Sequence, residues 1–129
     1  MMQTKRCNRL DDFLMKKMLN SEKKHFSDDE CYQAYRKFLK LTTKDGKRIA
    51  ATQTIKKWFG IGGIKRPNRE GLFKIGFDLR LSVKEMEELF VYVMREPDFQ
   101  INDYREMIFL YGFYHQMTYH DCIKMTNYK

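Results

Sequence analysis

Turn-forming residues are scarce in this chain. Seven Gly and two Pro in 129 residues supply few of the obligatory turns of a many-stranded β-sandwich, so the composition points to helices. Cys7, Cys31 and Cys122 are odd in number, far apart and never in a CxxC pair, and so signal neither a disulfide framework nor a zinc module. They read as reduced, structural thiols. No apolar run approaches the roughly 18 residues of a membrane span, and no membrane partner is expected. The start, MMQTKRCNRLDDF, reaches charge too soon for a secretory signal, so the expected location is cytoplasmic.

Apolar residues are plentiful by contrast. At 43% hydrophobic and 15% aromatic the chain can fill one packed core, which suits one domain with an appendage. A formal charge of +8 calls for an acidic partner, with nucleic acid first among the candidates. That charge is uneven: residues 1–75 carry 19 Lys and Arg against 8 Asp and Glu, whereas residues 76–129 carry 6 against 9. Ten of the eighteen Phe and Tyr lie at position 90 or later. The front is basic and the back aromatic.

Helix signals recur throughout. Leu10, Phe13, Leu14 and Met18 keep the rhythm of an apolar stripe in a first helix ending near Asn20. Ser27 and Glu30 make a capping box for a second helix with Cys31, Tyr35, Phe38 and Leu39 inward, stopping before Thr42; Asp45 and Gly46 then turn the chain. A short third helix begins at Thr52 and buries Ile55, Trp58 and Phe59, with Gln53, Thr54, Lys56 and Lys57 outside. Pro67 and Asn68 open a fourth, with Leu72, Phe73, Ile75, Phe77 and Leu79 inward. Ser82 and Glu85 cap a fifth that buries Met86, Leu89, Phe90 and Val93 and closes at Pro97. The remainder reads as a helical hairpin: Asp103 to Gln116 after an Asn102 cap, then Tyr119 to about Thr126 after a Thr118 cap. Its first arm is apolar nearly all round, as befits a helix central to a core or shared with a second surface. The expectation is all-α: a five-helix domain over residues 1–97 and a helical hairpin over 98–129 packed on it.

Residues Lys44 to Lys74 hold nine basic side chains and two acidic ones, Asp45 and Glu70, around the short third helix. A solvated face is the plainer account of such a run. The sharper one starts from what duplex DNA requires, namely a thin helix with short or amide side chains facing base edges and cations for the phosphates. Gln53 is of the type that pairs with adenine, and Thr52 and Thr54 are short enough to permit close approach.

The stretch Thr52-Gln-Thr-Ile-Lys-Lys-Trp-Phe-Gly60, with Lys65-Arg-Pro-Asn-Arg-Glu-Gly-Leu-Phe-Lys-Ile-Gly-Phe-Asp-Leu-Arg-Leu-Ser82-Val, resembles the recognition helix and following helices of the phage-repressor-like (Cro-type, XRE) helix-turn-helix family. The resemblance runs from position 51 to about 115, since bacterial regulators of this class include chains with a further segment like Asn102-Asp-Tyr-Arg105-Glu-Met-Ile-Phe. It implies a five-helix DNA-binding domain of bacterial or phage kind. Carried over by residue, it puts Thr52, Gln53, Thr54 and Lys57 at base-facing positions and Lys65, Arg66 and Arg69 against the phosphate backbone, with Lys56 beside them. A two-fold homodimer, which sets recognition helices about 34 Å apart, fits both this resemblance and the aromatic hairpin.

The second helix departs from the family pattern. Where the family has a small mid-helix residue and a turn Gly, this chain has Tyr32 and Arg36, and extra residues run from Thr42 to Ala51. Either the loop bulges outward and adds Lys44, Lys47 and Arg48 to a DNA surface, or the module serves protein contacts. Other constellations are weaker. His115, His120 and Cys122 lack a fourth ligand, so no metal or other cofactor is expected. Gly60-Ile-Gly-Gly63 lacks the GK[ST] of a phosphate cradle, Ser21, Ser27 and Ser82 have no base partner, and Glu85, Glu87 and Glu88 read as a solvated exterior. No enzyme is expected. The leading expectation is a transcriptional regulator that sets its third helix in the major groove; the alternatives are a protein-interaction adaptor with a degenerate helix-turn-helix and a general RNA binder.

Overall fold

The computed structural model describes residues 9–127. Among them the chain forms α-helices and no strand, only an isolated bridge between Lys44 and Lys47.

Five of the α-helices begin where a side chain satisfies a free backbone N–H. The first, α1 (Leu10–Leu19), lacks such a cap but ends at Asn20 with φ 50°, a left-handed residue whose N–H returns to the Lys16 carbonyl. Ser27 and Glu30 cap α2 (Asp28–Thr42) reciprocally. α3 (Thr52–Trp58) starts from Ala51, which has no side chain to offer. The Asn68 amide oxygen accepts from Gly71 N–H at 2.7 Å to start α4 (Arg69–Asp78), and Ser82 with Glu85 starts α5 (Val83–Glu88). α6 (Tyr104–Tyr114) is capped by Asp103 rather than Asn102, its carboxylate accepting from Glu106 N–H at 3.0 Å. Thr118 and Asp121 make the box that opens α7 (Tyr119–Thr126).

The fifth helix stops short of Pro97. After Glu88 the chain widens into a π-helical segment, Leu89–Val93, and Met94 N–H closes back on the Leu89 carbonyl at 2.9 Å. Leu89, Phe90, Val93 and Met94 all face inward along this wider turn.

One contiguous core runs from Leu14 on α1 through Phe38, Ile55, Leu72 and Phe90 to Phe109 on α6. α1 packs on α2 and on the π-helical segment, α2 on α4, α4 on α7, α5 on α6, and α6 on α7. The hairpin α6–α7 joins this core. Phe77 stacks on Phe113 at 3.9 Å between ring centres, and Phe109 lies 4.4 Å from Phe73. Gly112 lets α6 and α7 meet, because a Cβ there would overlap the Cys122 sulfur; Gly76 does the same for α4 beneath Met86 and Phe113. No described helix is long and apolar enough to cross a membrane.

Candidate nucleic-acid interface

α3 is fastened by one side. Ile55, Trp58 and Phe59 are buried, with Phe59 5.4 Å from Phe38 and 6.4 Å from Tyr35, and Trp58 6.1 Å from Phe38. These edge-to-face contacts hold the short helix across α2 without help from a cap. On the opposite side Gln53 is exposed, and Thr52, Thr54, Lys56 and Lys57 are half-buried. Two of the lysines lie along the protein. The Lys56 ammonium sits 5.7 Å from the centre of the Tyr35 ring, and the Lys57 stem runs beside Gly63, within 3.8 Å of where a Cβ would stand. Lys57 is thereby packed along its stem, and Lys56 through its charged tip.

The connection from α2 to α3 is folded rather than loose. The Thr42 hydroxyl donates to the Phe38 carbonyl at 2.8 Å and closes α2. Asp45 and Gly46 then take left-handed conformations (φ 53° and 74°), while Lys44 and Lys47 exchange backbone hydrogen bonds of 2.9 Å. This is the geometry of a two-residue hairpin turn, the reason Asp-Gly stands there. Lys44, Lys47 and Arg48 are exposed on it, and Ile49 and Ala50 are partly buried on the return. Lys44 also lies within electrostatic reach of Asp78, at the far end of α4. Burial pushes the Asp78 carboxyl up to about 6 even though Lys44 and Lys74 pull the other way. Tyr32 and Arg36, at the family's small-residue positions, are both on the solvent side, with the guanidinium 5.9 Å from the ring.

The remaining predicted phosphate contacts divide. Lys65 and Arg66 are exposed, with one Arg66 nitrogen donating to the Met94 carbonyl. Arg69 faces elsewhere. Its Nε and Nη2 hold Glu106 at 2.6 and 2.8 Å, Nη1 reaches Glu96 and the Pro97 carbonyl, and Nη2 also bonds the Asp98 carbonyl. All five guanidinium donors are thereby occupied, and the plane lies 4.2 Å from the Phe90 ring centre. The Glu106 hydrogen bond raises the pKa of Arg69 further, against the effect of burial. To meet a phosphate, Arg69 would have to leave partners it already has. It is a clasp between α4 and the start of the hairpin.

The structure thus brings Thr52, Gln53, Thr54, Lys56, Lys57, Lys65 and Arg66 to the region around α3 and diverts Arg69. Two features escape a reading of spacing alone. Glu70 accepts from Tyr119 and from Arg105, the latter at 2.8 Å, and burial followed by that acid pushes the Tyr119 hydroxyl up to about 12. On α6, Tyr104, Met107, Tyr111 and Tyr114 are 62, 51, 49 and 67% exposed, a helical stripe left on the surface. The near-continuous apolar character of that helix was the signal available for it.

The histidine and cysteine group of the hairpin separates. His115 stacks on Tyr111 at 4.1 Å, His120 is exposed, and Cys122 is sealed beneath Gly112, where burial pushes its thiol up to about 11. Among the described residues no three His, Cys, Asp or Glu side chains converge as a metal site. Compared with models of known families, with curated proteins and with solved structures, the chain matches none.

Proposed function

We propose that the chain is a DNA-binding transcriptional regulator that presents the outer side of α3 to the major groove. The observation that carries the reading is Gln53, exposed on a helix whose other side is locked under α2, with Thr52, Thr54 and Lys57 around it and Lys65 and Arg66 nearby. The work divides in two. Lys56, Lys57, Lys65 and Arg66 supply affinity by displacing counterions from phosphates, and Gln53 with its threonine neighbours supplies base preference. The hairpin turn bearing Lys44, Lys47 and Arg48 adds cations beside them.

Fluorescence anisotropy against selected and random duplexes tests this. Lys57→Glu is expected to weaken binding to every duplex by about tenfold or more, with a shallower salt dependence. Gln53→Ala is expected to reduce the preference for the selected duplex, at about 1–3 kcal/mol per lost base contact, while leaving affinity for random duplex largely intact. Absent or salt-insensitive binding sinks the reading.

One observation favours a second reading, a protein-interaction adaptor. The exposed Tyr104, Met107, Tyr111 and Tyr114 stripe on α6 is of the composition that protein interfaces use. An adaptor retains a protein partner in a nuclease-treated lysate and loses it on Tyr111→Glu with Tyr114→Glu; a two-fold dimer through the same stripe reads instead as a doubled mass in solution.

A further inference from the structure

The outer side of α6 has the same spacing read in either direction. Ile108, Phe109, Gly112 and Phe113 face the core, while Tyr104, Met107, Tyr111 and Tyr114 stand on the other side, 49–67% exposed. Steps of three, four and three residues make one straight seam, the pattern by which a helix packs along another helix. The seam is symmetric about position 109. An antiparallel second copy therefore sets Tyr104 against the partner's Tyr114 and Met107 against the partner's Tyr111, and both pairings occur twice.

The chemistry of these pairs suits that arrangement. A thioether on a tyrosine ring and a tyrosine on a tyrosine are both favourable contacts, and the ring hydroxyls reach water at the rim. Tyr111 is already held by His115, stacked on it at 4.1 Å, so less side-chain freedom is lost on pairing. Antiparallel alignment also sets opposite ends of the two helix dipoles together. Charge favours the same occupant. The seam bears no charged side chain, and residues 76–129 hold 6 Lys and Arg against 9 Asp and Glu, whereas residues 1–75 hold 19 against 8. Two chains of +8 repel least where they meet through this part. At these exposures about 100 Å² stays open at each position, so two seams laid together cover about 800 Å². Stable interfaces begin at about 1,200 Å², so the area fits a weak, reversible dimer and not a permanent one.

We propose that the outer side of α6 is a self-association surface, on which a second copy packs antiparallel about a two-fold axis at position 109. The stripe that would serve an adaptor is thereby committed to one occupant. Association of this kind needs no DNA and goes beyond the regulator reading.

The intact chain, cleared of nucleic acid with nuclease and high salt, is followed by sedimentation velocity from about 1 to 200 μM. The mass is expected to rise from 15.7 kDa towards twice that value as concentration increases. Tyr111→Glu, near the centre of the pairing, is expected to weaken association at least about tenfold, with circular dichroism and the thermal melt unchanged. Tyr114→Glu gives the same reading should the first change lower the melt. Met107→Glu and Tyr111→Lys test the direction. Each alone is expected to weaken pairing about tenfold, and an equimolar mixture to associate at least about threefold more tightly than either component. Antiparallel pairing sets the new carboxylate opposite the new ammonium, whereas parallel pairing sets each opposite a native side chain. A chain that stays monomeric throughout overturns the proposal and leaves the stripe to a foreign protein. A doubled mass unchanged by both glutamate variants, Tyr111→Glu and Tyr114→Glu, puts the dimer elsewhere and overturns it too, as does a mixture no tighter than its components. Anisotropy on duplex DNA is scored separately, so failure at α6 and failure at the groove are distinguishable.

Discussion

Single side chains divide here between those whose roles follow from neighbours in sequence and those whose roles do not. Asp78 belongs to the second kind. It ends α4, and burial raises its pKa from 3.8 to about 6 despite Lys44 and Lys74. A carboxyl whose folded pKa is raised stabilises the fold fully below its unfolded pKa and loses that contribution as pH rises through the folded value. Between pH 4 and 7 Asp78 therefore erodes stability. The rise is worth at most roughly 3 kcal/mol, and about 1–2 kcal/mol after allowing for its partial exposure. Asp78→Asn should raise the melting temperature at pH 7 and bring little or no gain at pH 3.5. Equal gains at both values would contradict this. Arg69 is of the same kind. The family resemblance puts it among phosphate contacts with Lys65 and Arg66, whereas its partner Glu106 lies 37 positions on and only the folded chain brings the two together.

At the scale of elements, the local chemistry was legible. Ser27 with Glu30, Ser82 with Glu85, and Thr118 with Asp121 each open a helix where the sequence pattern puts one, because a capping box is decided within four residues. Asp45 and Gly46 form the turn that their left-handed tolerance suits. The π-helical segment was hidden, since Leu89, Phe90, Val93 and Met94 fit either helix type and the core they enter decides. Asn102 and Asp103 both make good caps, and their order alone does not tell which the helix uses. The outer side of α3 was readable from the position of Ile55 and Trp58; how far Lys56 and Lys57 lie back along Tyr35 and Gly63 was not. Ser82→Ala removes the donor match at Glu85 N–H and should cost about 1 kcal/mol in a urea melt. A loss below a few tenths would mean that α5 is held by Met86 and the π-helical segment alone.

Across the whole molecule, a basic front and an aromatic back are built on one core, Leu14 to Phe109, and the two are bolted together by Arg69. Glu106 is only 13% exposed in this pair, so removing the guanidinium strands a largely buried carboxylate. Arg69→Ala should cost about 2–3 kcal/mol by denaturant melt, and Arg69→Lys most of that, because an ammonium cannot match a five-donor fork. The clasp also sets how the chain comes apart. Its carbonyl partners at Pro97 and Asp98 sit on the segment a protease would choose for separating front from back, so cleavage there waits on opening of the whole molecule. Trimming experiments should yield either intact chain or small fragments, and the last two helices should never be released as a surviving piece.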